Sequence, residues 1–112
     1  MKKPSKISPR ATAALTGVAE RLRRARMRRG WTQTQMSMFL MLGEATYRRM
    51  EKGSPAVAIG AWVSAFEQLG LLSEMDGLLL YDNDRIGASI EQSRKSVRRK
   101  KQLSLDELAE RL

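Results

Sequence analysis

The stretch that decides the fold begins Trp31-Thr32-Gln33-Thr34-Gln35-Met36-Ser37 and closes on Arg48-Arg49-Met50-Glu51-Lys52-Gly53. Thr32 has the chemistry of an N-cap, its hydroxyl placed to accept a backbone N–H from the first helical turn. The helix it opens carries Gln33, Met36, Ser37 and Leu40. A turn at Met41 to Gly43 leads into a second short helix, Glu44 to Lys52, whose inward positions are Tyr47 and Met50. Gly53-Ser54-Pro55 breaks that helix.

Outward from this pair, the pattern stays helical. Towards the N-terminus, Val18, Leu22 and Ala25 share one face, with Glu20, Arg21, Arg23, Arg24 and Arg28 spread over the other. Gly30 ends that helix after the basic turn Arg28-Arg29, which reads as a solvated face suited to the helix dipole. Towards the C-terminus, Ile59, Trp62, Val63, Phe66 and Leu69 describe an amphipathic helix stopped by Gly70. Ser73 with Asp76 resembles a capping box and predicts a fifth helix through Met75, Leu78 and Leu79. The run Leu78-Leu79-Leu80-Tyr81 is also compatible with a short edge strand. The expected fold is all-α, a compact five-helix domain over residues 14–81. A flexible basic arm over 1–13 (Lys2, Lys3, Lys6 and Arg10) precedes it. Asp82-Asn83-Asp84 signals a turn, and a basic linker over 82–102 follows, in which six of the eight residues from Arg94 to Lys101 are Lys or Arg. A short amphipathic helix over 103–112 closes the chain, with Ser104 and Glu107 as its capping box and Leu105, Leu108 and Leu112 on one face.

Composition narrows the function. The 112 residues include no histidine and no cysteine, which removes the commonest general base, the commonest metal ligand, thiolate nucleophiles and disulfides. Carboxylates and serines are present, but none forms a convergent catalytic pattern, so no enzyme activity, metal or cofactor is expected. Twenty-one Lys and Arg against twelve Asp and Glu give a net charge of +9, the balance of a protein that meets polyanions, nucleic acid first. The longest apolar stretch, Met36 to Leu42, is far too short to span a membrane, and no apolar segment follows the basic N-terminus to make a secretory signal. A cytoplasmic protein, on the nucleoid when bound to DNA, is expected.

The Thr-Gln of residues 32–33 and the Glu-Lys-Gly of 51–53, at this separation and among helices of these lengths, resemble the helix-turn-helix of the XRE/Cro-type repressors. The resemblance covers about residues 16 to 80. It implies that the second helix lies across the DNA backbone while the third enters the major groove. Gln33 and Thr34 would then stand at a phosphate near the N-terminus of the second helix, the alternative for Gln33 being a solvated first-turn residue. The base-reading positions fall on Glu44, Ala45 and Arg49, with Thr46 and Arg48 flanking them and Lys52 at a phosphate. Arg49 suits a bidentate fork to guanine, Glu44 a cytosine amino group and Ala45 a thymine methyl; Glu44 is equally a carboxylate that simply favours the helix dipole. The resemblance also pairs Glu51 with Arg26 as a partly buried architectural ion pair.

The chain departs from this pattern at the turn, where Met41 replaces the usual glycine and Gly43 the usual Ser or Thr cap. Met38 and Phe39 occupy positions that are typically charged, leaving open a repacked core or an exposed apolar patch that binds a partner. Gly53-Ser54-Pro55-Ala56-Val57-Ala58-Ile59-Gly60, Leu69-Gly70-Leu71-Leu72 and Tyr81-Asp82-Asn83-Asp84-Arg85-Ile86-Gly87 are similar to HipB-type antitoxins, which repress their own operon and bind a HipA-type Ser/Thr kinase toxin. That likeness implies a homodimer on a pseudo-palindromic operator, paired through the fourth and fifth helices and the Leu78 to Tyr81 edge. The toxin would dock away from the groove, on Met38 and Phe39 or on the terminal leucines Leu105, Leu108 and Leu112. The basic segment Arg94 to Lys101 is either a further phosphate contact or a solubilising linker. The alternatives are an XRE-type regulator with no toxin and a mainly protein-binding inhibitor with weak DNA readout.

Overall fold

In the structure, a computed structural model that describes residues 6–111, Ser8-Pro9 starts the first helix, α1 (Pro9–Arg28). The Ser8 hydroxyl accepts the Ala11 N–H at 3.1 Å, and proline occupies the first turn, where its missing N–H is not needed. The anticipated arm over 1–13 is therefore helical from Pro9 onward; its Lys2 and Lys3, like the terminal Leu112, lie outside the described residues. The next helix, α2 (Gln33–Phe39), opens on a reciprocal box: Thr32 Oγ1 accepts the Gln35 N–H at 3.0 Å, and Gln35 Oε1 accepts the Thr32 N–H at 2.9 Å. α3 (Glu44–Glu51) starts from Gly43, which has no side chain to cap it, and α4 (Ile59–Leu69) follows.

All four helices end in the same device. The chain turns left-handed at the cap (Gly70 of α4) or one residue past it, and the next N–H reaches back to the last full turn, as in Trp31 N–H to Arg26 O, Leu42 N–H to Ser37 O, Ser54 N–H to Arg49 O and Leu71 N–H to Phe66 O. The left-handed residue is Gly30, Gly53 or Gly70 in three cases and Met41, at φ 54°, in the fourth. Gly53 has a second reason to be glycine: a Cβ there would stand 3.2 Å from the Thr16 Cα of α1.

The core lies between these helices. Ala19 and Leu22 of α1, Met36 of α2, Tyr47 and Met50 of α3, and Trp62, Ala65 and Leu69 of α4 form one buried cluster. Trp31, Leu42 and Val57 pack against it from the connecting turns.

After α4 the structure departs from expectation. Leu72–Gly77 is a 3-10 segment, so the Ser73–Asp76 spacing opens no fifth α-helix before residue 80. Gly77 and the left-handed Leu79, at φ 58°, explain the interruption, since neither propagates a helix. Leu78 and Leu79 are exposed and form no edge strand; a 3-10 turn over Tyr81–Asn83 follows. Asp84 then caps the last helix, α5 (Arg85–Arg111), through its carboxylate and the Gly87 N–H at 2.8 Å. The basic linker and the short terminal helix are thus one helix of 27 residues. From Ala88 onward the segment contains no glycine or proline, and Lys, Arg, Gln, Glu and Leu all favour helix. Ser104 sits inside it, its hydroxyl donating to Lys100 O at 3.2 Å, and caps nothing. The chain divides into two units, one ending at Asp76 and one beginning at Gly77. Among the described residues no helix is long and apolar enough to cross a membrane.

Candidate nucleic-acid interface

The seam between α1, α2 and α3 is polar and almost dry. Arg26 Nε donates to Glu51 Oε1 at 2.9 Å, with only 3% of the Glu51 side chain exposed. The same guanidinium donates through Nη1 to Trp31 O at 2.8 Å, and Gln33 Nε2 donates to the second carboxylate oxygen, Glu51 Oε2, at 2.8 Å. One carboxylate therefore ties the end of α1 and the start of α2 to the end of α3. Satisfying both oxygens offsets the cost of taking the pair out of water. Gln33 is not simply a solvated first-turn residue: it is half-buried, and its amide nitrogen is a strap inside the unit.

The Tyr47 ring is fully buried next to this pair, and among the described residues its hydroxyl has no well-formed hydrogen bond, the Arg26 guanidinium being its nearest candidate donor. Burial first, and the Glu51 carboxylate second, push the phenol pKa far above its ordinary value, with the Arg26 guanidinium acting the other way.

The outer side of α3 is the opposite in character. Ala45, Arg48, Arg49 and Lys52 fall on one exposed face, across the helix from Tyr47 and Met50. Thr46, half-buried, stands off that face. Glu44 is not a free acceptor. Its Oε1 takes the Thr34 hydroxyl at 2.7 Å and Arg48 Nη2 at 2.9 Å, pinning the first turn of α3 to α2 and holding Arg48 in place. Arg49 is exposed, and among the described residues it has no carboxylate partner.

One long-range bond escapes any local pattern in the sequence, and one short-range bond accompanies it. Arg29, expected on a solvated face, donates through Nη2 to Leu69 O at 2.7 Å and through Nη1 to Ala25 O at 2.7 Å. It is a cation on the last carbonyl of α4, where the helix dipole favours it. The Ser37 hydroxyl, buried, donates to Thr34 O at 2.7 Å. The apolar end of α2 is exposed and not core: Met38 is 71% and Met41 93% exposed, while Phe39 stacks edge-on to Trp31 with ring centroids 5.1 Å apart. Leu105 and Leu108 are exposed on α5.

Residues 17–75 match the helix-turn-helix domain family, and no curated protein matches the chain. With more than half of the sequence covered, and with α2, its tight turn and α3 assembled as that domain requires, the chain belongs to the helix-turn-helix domain family, in its XRE/Cro-type form.

Proposed function

We propose that the chain is a sequence-specific DNA-binding transcriptional repressor that lays α3 in the major groove. The observation that carries this reading is the outer face of α3, where Arg49, exposed and without a carboxylate partner among the described residues, stands beside Ala45, Arg48 and Lys52, on a helix fixed from behind by Glu51. A guanidinium so placed can bond guanine O6 and N7 together, Ala45 offers a methyl surface to thymine, and Lys52 suits a phosphate. Glu44 contributes by steadying Arg48 and so has less to offer a cytosine. Thr34 supports the same contact from α2. The test is binding to the promoter of the chain's own gene against a scrambled duplex. We expect Arg49→Ala to weaken the specific complex by about 1–3 kcal/mol, roughly 5- to 150-fold, and to relax the preference for the operator. Equal loss on every sequence would make Arg49 a phosphate contact, and no specific complex even at low salt would end the repressor reading.

Within that reading we place the chain as the antitoxin of a type II toxin-antitoxin operon. It would act as a homodimer on a pseudo-palindromic operator and bind a HipA-like Ser/Thr kinase toxin. Supporting this are the likeness of its Gly53–Gly60 and Tyr81–Gly87 segments to HipB-type antitoxins and the exposed Met38, Phe39 and Met41 on the tip of α2, an apolar surface beyond what DNA contact needs. A gene for a kinase-like toxin next to this one, and its co-purification with this chain, is the expected finding; a regulator without such a neighbour is the outcome that refutes the antitoxin role.

A further inference from the structure

α5 carries positive charge that the rest of the chain leaves unanswered. From Arg94 to Lys101, among the described residues, only Lys95 has a carboxylate partner, Glu91 at 3.0 Å. Arg94, Arg98, Arg99, Lys100 and Lys101 are exposed and, among the described residues, unpaired. α5 has no buried residue to hold it together. Arg94 with Arg98, and Lys95 with Arg99, are like charges four residues apart, an arrangement that works against the helix unless an anion neutralises it.

The spacing of charge says which anion. Residues 94–101 cover roughly 10 Å of helix, and duplex DNA presents one phosphate per about 1.7 Å of its axis, so several of these cations can be matched at once. A second copy of α5 in register sets cation against cation here, and a staggered antiparallel copy brings only the three carboxylates of Asp106, Glu107 and Glu110 to six cations. An anionic membrane is a poorer fit, because Val97 is the one apolar residue in the stretch and no aromatic residue accompanies it. We propose that residues 94–101 of α5 are a second, sequence-independent contact with duplex DNA, holding phosphates while α3 reads bases. This rests on the DNA-binding reading of α3.

The experiment compares the full-length protein with the variant Arg94→Gln, Arg98→Gln, Arg99→Gln, Lys100→Gln and Lys101→Gln, in which glutamine keeps the helix propensity. Far-UV circular dichroism and tryptophan fluorescence first establish that the variant is folded. Affinity for operator and for random duplex is then followed against salt concentration. Each phosphate contact contributes about −0.9 to the slope of log K against log salt. The proposal expects the variant's slope to be shallower by about 3 or more, with its affinity for random duplex at low salt reduced at least about tenfold and the operator preference intact. An unchanged slope in the folded variant overturns the α5 contact and leaves the reading of α3 standing. Operator preference lost along with the slope would overturn it as a sequence-independent contact. Wild type with no affinity for any duplex overturns both. Binding to phosphatidylserine vesicles that the variant loses, with its DNA slope unchanged, assigns the patch to a membrane instead.

Discussion

At the scale of single residues, Tyr47 shows how the interior of the first unit is balanced. Its ring fills the core beside Arg26 and Glu51, yet among the described residues its buried hydroxyl has no well-formed hydrogen bond, a state that costs up to about 1–3 kcal/mol. The folded protein keeps the phenol proton well past pH 10, whereas the unfolded chain releases it near 10.0. Unfolding therefore releases a proton above that pH, and stability falls as pH rises through it, by up to about 1.4 kcal/mol per pH unit; below it this group adds no slope. Tyr47→Phe should remove both effects. We expect neutral-pH stability unchanged or higher by up to about 1 kcal/mol, and a flatter alkaline limb, in denaturant titrations followed by tryptophan fluorescence. A loss of 2 kcal/mol or more at neutral pH would mean the hydroxyl is bonded after all. The surroundings of Tyr47 also mark what the sequence could reveal. The Arg26–Glu51 pairing was legible only through the resemblance to a known family. The partners of Gln33 and Arg29 lie 18 and 40 residues away, so no periodicity or cap signature points to them.

At the scale of elements, the turn between α2 and α3 is the one helix end built with the wrong residue for its backbone. An L-residue in the left-handed region loses roughly 1–2 kcal/mol relative to its preferred conformations, and glycine does not. Met41 is 93% exposed, so replacing it forfeits little packing within the unit. Met41→Gly should stabilise the domain by about 0.5–1 kcal/mol after allowing for the greater freedom of glycine in the unfolded chain, read as a higher denaturant midpoint at unchanged slope. Destabilisation would show that Met41 makes a contact that its exposure conceals. The stops of α1, α3 and α4 and the start of α2 were legible because Gly30, Gly53, Gly70 and Thr32 each act within a few residues of themselves; the start of α1 at Pro9 was not. α5 was not. A dense run of Lys and Arg suggests a solvated, mobile segment, but the same residues are good helix formers, and exposure does not distinguish the two. Conversely, the Ser73–Asp76 and Ser104–Glu107 spacings show that a capping pattern starts no helix where Gly77 interrupts the chain or where a helix is already running.

At the scale of the whole molecule, stability is unevenly shared between two units. The unit ending at Asp76 owns every buried apolar residue of the core, whereas the unit from Gly77 consists of 3-10 turns and a long helix with none buried. Tyr81 Oη donating to Glu91 at 2.7 Å, and Glu91 pairing with Lys95, give the start of α5 a small polar clasp, but both bonds are exposed and so individually weak. A helix with no buried residue draws chiefly on propensity, and its own like charges oppose it. The two units should therefore melt separately. Trp31 and Trp62 both lie in the first unit, so tryptophan fluorescence reports that unit only, while far-UV circular dichroism sums the helices of both. On heating, helical signal should decline gradually from low temperature as α5 frays, before the cooperative fluorescence transition of the first unit. Short duplex DNA should restore the early loss if α5 is neutralised by phosphates. Coincident transitions by the two probes without DNA would show instead that α5 is held by packing this chain makes in solution, and would send attention back to its exposed Ile86, Ile90 and Val97.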